Sequence, residues 1–287
     1  MKKIQSLTVF ILILCTACRQ SKNQEKVNIW KTEETNKPKE LLTAIERQKQ
    51  IAEENRIDSL RFEMALQDAF KIAKPAFKSD RFKKEYELQP DDSSFSIKME
   101  LLVDHLFDDD KKYFLIRRHA PWGPLVTYIN LYEIIDGKTK KIIEREQYGY
   151  IRDTIFDVNG DNYKDFLVHW YPAVGCCRRN IYNVYLNQPE KGKFTTDYEF
   201  INPTFSAKEK IIRGIEYGHP GEAELYKYKW NGLKVDTIEF IYPDFETKNR
   251  FIKTKRNTSR FDKEGIVLKA VPKEYHSIES YDWFLGF

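Results

Sequence analysis

Phe95-Ser96-Ile97-Lys98-Met99-Glu100-Leu101-Leu102-Val103-Asp104-His105-Leu106 decides the reading of the fold. Phe95, Ile97, Met99, Leu101 and Val103 alternate with Ser96, Lys98, Glu100, Leu102 and Asp104, the period of two that gives a half-buried strand one face in the core. Working outward, Asp108-Asp109-Asp110 turns the chain into Tyr113-Phe114-Leu115-Ile116, and Trp122-Gly123-Pro124 turns it again into 125–132. Asp136-Gly137 and Asn231-Gly232 each lie between apolar runs and predict tight hairpins, because both turn positions favour positive φ. Further strands are expected over 150–156, 165–171, 181–186, 194–198, 210–217 and 266–270. The fold class expected is mainly β: about a dozen antiparallel strands in meander sheets, as in a partial propeller, a barrel or a sandwich, preceded by one long N-terminal α-helix.

Composition agrees. The 287 residues are 41% apolar and 14% aromatic, with 17 Tyr and 19 Phe against 3 Met, an excess that favours pleated surfaces over helix bundles. The formal charge of +4 is small beside 48 basic and 44 acidic residues, so nucleic acid is not an expected partner.

Met1-Lys2-Lys3 precedes the apolar run 7–14, too short for a bilayer span, and small residues follow at Thr16-Ala17. Residues 1–17 are therefore expected to be a signal peptide. Leu14-Cys15-Thr16-Ala17-Cys18 resembles a bacterial lipobox, with Cys15 standing where Leu or Val is usual. That resemblance implies an acylated Cys18, membrane attachment and an exported outer-membrane lipoprotein facing the periplasm or the cell surface. The other reading is ordinary signal-peptidase cleavage that leaves Cys18 as a thiol. Residues 18–37 have almost nothing apolar and predict a flexible tether. Residues 38–75 lack Gly and internal Pro and predict the long helix, with Pro38 in its first turn, Pro75 at its end and a loose apolar stripe of Leu42, Ile45, Ala52, Leu60, Met64 and Phe70. Its C-terminal half is expected to dock on the β domain, residues 76–287.

Asp157-Val158-Asn159-Gly160-Asp161-Asn162-Tyr163-Lys164-Asp165 is the segment richest in chemistry. A hard cation takes six to eight oxygens, and a tight turn can converge Asp157, Asn159, Asp161, the Tyr163 carbonyl and Asp165. Position 12 is Val168 instead of the bidentate Glu of an EF-hand, and the flanks read as strands. The pattern resembles the calcium loops of FG-GAP and VCBS (integrin-type) repeats. More widely, 127–230 is similar to calcium-binding bacterial envelope lipoproteins, some of them lysozyme-inhibitor-like. The resemblance implies structural calcium; the plainer reading is a solvated Asx-rich turn.

Cys176 and Cys177 stand side by side in 171–180. A vicinal disulfide, two structural thiols and an intermolecular link all remain open. With Tyr171, Arg178 and Arg179 they form a candidate partner-binding loop. The five histidines are scattered, with no nucleophile motif or phosphate loop, and His169 reads as a packed residue more than a ligand contact. The function expected is therefore a non-enzymatic envelope binding protein that recognises an envelope protein or glycan, with inhibition of a lytic enzyme implied by the resemblance. The alternatives are a polysaccharide-processing or hydrolytic envelope enzyme, and a structural subunit of an outer-membrane assembly.

Overall fold

The structure is a computed structural model that describes residues 43–91, 93–175, 177–257 and 265–286. The expected signal peptide, Cys18, the tether, residues 38–42 of the expected helix, and Cys176 lie outside the described residues.

Helix α1 spans Ala44–Ala73. Thr43 caps it reciprocally: the Glu46 N–H donates to Thr43 Oγ1 at 3.3 Å, and the Thr43 N–H donates to Glu46 Oε2 at 2.9 Å. This Thr-x-x-Glu box marks the start of the described helix. The far end comes two residues before Pro75, whose ring disfavours helical geometry in the residue before it. Phe62, Ala65, Leu66, Ala69 and Ala73 are the buried residues, spaced i, i+3, i+4, i+7 and i+11. The expected stripe is corrected here, since Ile45, Leu60 and Met64 are exposed and, of its described members, only Phe70 packs on the core. The C-terminal half docks; the N-terminal half stands in water.

Among the described residues, seventeen strands follow. The first sheet is β1 (Phe82–Leu88), β2 (Ile97–Asp104), β3 (Lys112–His119), β4 (Val126–Ile135) and β5 (Lys138–Tyr148), in that spatial order and antiparallel throughout. The second has four strands, β6 (Tyr150–Phe156), β7 (Asp165–Trp170), β8 (Ile181–Tyr185) and a later strand, β11 (Tyr198–Ile201), in the order β11-β8-β7-β6; between β8 and β11 the chain makes a separate two-stranded hairpin of β9 (Asn187–Gln188) and β10 (Lys193–Phe194). The third is a six-stranded meander: β12 (Pro203–Ser206), β13 (Ile211–Ile215), β14 (Leu225–Asn231), β15 (Lys234–Pro243), β16 (Phe251–Thr254) and β17 (Ile266–Leu268). A short helix α2, Tyr281–Leu285, follows. The meander architecture is as expected, and the described strands form no closed barrel.

The sheets pack face to face in chain order. Ile97, Met99, Leu101 and Val103 of β2 meet α1, joined by Phe114 and Ile116 of β3. Tyr113 and Leu115 of β3 point the other way, against Phe166 and Val168 of β7. Residues 113–116 form a continuous apolar run because both faces of β3 are covered. Leu167, Val184 and Phe200 of the second sheet then meet Ile212, Tyr226, Trp230 and Phe240 of the third. The last face, Ile215, Leu225 and Ile241, is capped by Tyr275, Ile278 and Phe284 of the C-terminal segment. Buried Arg118 ties helix to sheet by donating to the Phe62 carbonyl and, at 2.7 Å, to Asn130 Oδ1.

Asp136 and Gly137 both take positive φ in the β4–β5 turn, as their sequence implies. At Asn231-Gly232 the turn lies one residue later, on Gly232-Leu233, because Asn231 pairs with Lys234 and Gly232 alone has positive φ.

Candidate functional site

Strand β7 carries one candidate at each end. Before it, the loop from Asp157 to Asp165 folds on its own carboxylates. Asp157 Oδ1 accepts the N–H groups of Asn159 (3.2 Å), Gly160 (2.7 Å) and Asp161 (3.3 Å), while Oδ2 accepts that of Asn162 (2.9 Å). Asn159 Oδ1 accepts the Asp161 N–H at 3.1 Å, and Asp161 Oδ1 accepts the Tyr163 N–H at 2.9 Å. Asp165 is fully buried and joins the loop to the β8–β9 connection, accepting from Val158 (3.0 Å) and Asn187 (2.9 Å). Gly160 and Asn162 take the positive φ the turn requires, and a Cβ on Gly160 would meet the Ala207 carbonyl at 2.2 Å.

These bonds link Asp157, Asn159, Asp161 and the Tyr163 N–H within one turn, and Asp165 reaches it through the Val158 N–H. Burial, followed by the charges of Asp161 and Asp157, pushes the Asp165 carboxyl up to about 7, although two N–H donors pull it down. No three His, Cys, Asp or Glu side chains among the described residues converge as a metal group. Three carboxylates fall in these nine residues, and both oxygens of Asp157 and of Asp165 accept backbone N–H groups.

After β7, the segment from Tyr171 to Asn180 rises from the sheet. Gly149 permits its start: the Tyr171 N–H donates to the Gly149 carbonyl at 2.8 Å, and a Cβ on Gly149 would lie 1.8 Å from the Tyr171 carbonyl. The Tyr171 hydroxyl donates to the Cys177 carbonyl at 2.7 Å, closing the loop. Cys177 Sγ lies 3.4 Å from His219 Nδ1. Asn202, buried and at φ 45°, holds the base by accepting the Asn180 N–H (3.0 Å) and donating to the carbonyls of Arg178 (3.0 Å) and Ile215 (3.1 Å). Arg178 pairs with Asp282 at 3.4 Å, whereas Arg179 stacks on Tyr217 at 4.9 Å. His169 is a packed residue, stacked on Tyr182 at 4.2 Å and 3.0 Å from Asn180 Oδ1, and burial lowers its pKa.

Sequence reading missed the surface beside this loop. The turn from Ala120, closed by the Gly123 N–H on the Ala120 carbonyl, leaves Trp122 90% and Leu125 72% exposed; across from it Val174 is 85% exposed. An apolar cavity of about 240 Å³ is lined by Pro121, Pro124 and Leu125 of this turn and by Tyr150 and Ala173. Trp122-Gly123-Pro124 was legible as a turn, but its exposure depends on tertiary structure. Also missed was Glu216, whose carboxyl burial pushes up to about 7 with help from Glu224, at the end of β13 beside Tyr217.

Comparison of the chain with protein-family models, curated proteins and solved structures finds no match.

Proposed function

We propose that this chain is a lipid-anchored cell-envelope binding protein, exported and held to the outer membrane through acylated Cys18, that recognises an envelope protein or glycan. The observation that carries the reading is a cavity of about 240 Å³ lined by Pro121, Pro124, Leu125 and Ala173, in two loops whose Trp122, Leu125 and Val174 stand in water. Exposed apolar groups gathered round a concavity mark interaction sites, whereas isolated ones do not. Trp, Tyr and Arg are the residues that dominate binding energetics, and all three occur here. Inhibition of a lytic enzyme is the specific task suggested by the likeness to lysozyme-inhibitor-like proteins.

Calcium has a structural role in this proposal. Asp157, Asn159, Asp161, the Tyr163 carbonyl and Asp165 would hold it; the ion would neutralise the loop and brace the approach to β7. The loop has no histidine or general base beside it, so no chemistry is assigned to the ion.

The test is affinity capture from envelope extracts by the mature chain carrying Cys18→Ala, compared with the same chain carrying Trp122→Ala and Leu125→Ser. The variant should lose most of the captured material at an unchanged melting temperature. Equal capture by both would sink the contact face.

A further inference from the structure

We infer that the small cavity under the Tyr171–Arg179 loop is a carboxylate-binding subsite anchored by Arg179, and that its ligand is an acidic protein segment carrying a carboxylate beside an apolar side chain. The inference rests on the reading of this loop as part of a contact face.

The two neighbouring arginines are used differently. Arg178 has Asp282 as its partner. Arg179 is half-buried, and its Nε is shielded from solvent with no hydrogen-bond acceptor among the described residues. An N–H shut away from water without an acceptor is unfavourable, and a carboxylate is the group that suits the rest of such a guanidinium, by charge and by forked N–H···O bonds. Stacking on Tyr217 occupies the face of the guanidinium. Its donors lie in the plane, the geometry in which arginine meets a carboxylate.

The seat is built before any ligand arrives. Asn202 clamps the backbone at Arg178 and Asn180, and the Tyr171 hydroxyl fixes Cys177. Little ordering cost remains at binding. The cavity, lined by Tyr171, Pro172, Val174, Cys177, Arg179 and Tyr217, measures about 40 Å³. A single water needs about 10–15 Å³, so this space suits a group of about three heavy atoms. Pro172 and Val174 line this seat, while Ala173 between them lines the apolar cavity. A ligand crossing this segment therefore meets a cationic seat and an apolar one within a residue's length.

The experiment titrates N-acetyl-leucine and N-acetyl-leucinamide into the mature chain carrying Cys18→Ala, followed by NMR at Arg179, Tyr217 and Trp122. The acid should bind at least tenfold more tightly than the amide. Arg179→Gln should abolish that preference, Arg178→Gln should keep it, and both should melt with the parent. Equal binding of acid and amide, or a preference that survives Arg179→Gln, overturns the subsite. If both probes still perturb Trp122 without preference, the apolar contact face stands and the carboxylate seat alone falls. Glucuronate binding that depends on Arg179, with no response to N-acetyl-leucine, overturns the assignment to a protein ligand.

Discussion

The loops at the two ends of β7 are alike in polarity and opposite in how they use it. Ahead of the strand, Asp157 alone accepts four backbone N–H groups, and Asp165 accepts two more from a fully buried position. Beyond it, Arg179 has a ring to lie on and its Nε has no acceptor among the described residues, while Val174 and Trp122 face water. A loop that satisfies its own polar groups contributes to folding; one that leaves them unsatisfied, on a clamped backbone, has interaction energy left for a partner. Truncations at the first loop should therefore be read in stability, and those at the second in binding.

Asp165→Ala gives the largest expected effect. It leaves the buried N–H groups of Val158 and Asn187 without acceptors, at about 1–3 kcal/mol each, so urea unfolding should show a loss of about 4 kcal/mol. Val174→Ala at the other end should stay within about 0.5 kcal/mol, as exposed substitutions do. Comparable losses at both positions would erase the contrast between the loops.

Calcium is the next largest. An ion bound to the native state alone adds about 2.7 kcal/mol at a hundredfold excess over Kd, a rise in Tm of roughly 5–10 °C for a domain of this size. A chelator should remove the rise, magnesium should give less of it because it dehydrates reluctantly, and Asp161→Ala should abolish it. A melting curve indifferent to both calcium and chelator would make the loop an Asx turn and remove the main support for the FG-GAP likeness.

Much of the fold was legible where one face decides the pattern. The alternation of 95–103 places Ile97, Met99, Leu101 and Val103 in the core against α1. Other features were hidden for physical reasons. β1, Phe-Lys-Lys-Glu-Tyr-Glu-Leu, is an edge strand with a mostly exposed, charged surface, so it carries little apolar signal. The docked face of α1 uses three alanines, which let helix and sheet approach closely, while the larger Leu60 and Met64 face water. The turn of the acid loop was legible because the bonds of Asp157, Asn159 and Asp161 are local, whereas the Asp165–Asn187 bond joins distant parts of the chain. The Arg179–Tyr217 stack joins residues from different sheets' connections, and no local pattern records it.

Glu216 sharpens the comparison from beneath the second loop, since it precedes Tyr217, the ring under Arg179. Burial, then the charge of Glu224, pushes its carboxyl up to about 7, while the Tyr228 hydroxyl, donating at 3.2 Å, pulls it down. In the unfolded chain it titrates near 4.5. Between those values the native state binds more protons, so this stabilisation is fully present below about pH 4.5 and is lost as pH rises through 7. Glu216→Gln should flatten that slope, a difference on the order of 2 kcal/mol once partial exposure is allowed for. An unchanged slope in the variant would remove Glu216 as its source.

The smallest expected effect is the stability change of Arg179→Ala, and it cuts most directly at the contrast between the loops. Truncation removes a stack on Tyr217 worth about 0.5–1 kcal/mol, and it also removes a half-buried cation whose Nε lacks an acceptor, a comparable cost in the folded state. The two should nearly cancel, leaving the urea midpoint within about 0.5 kcal/mol of the parent. Arg178→Ala should be equally silent, since its pair with Asp282 is exposed and the Asn202 bond is to the Arg178 backbone carbonyl, which alanine keeps. A loss of more than about 2 kcal/mol on Arg179→Ala would mean that its guanidinium is as structural as the Asp165 carboxylate. The second loop would then be another internally satisfied turn, with no donor left over for a partner.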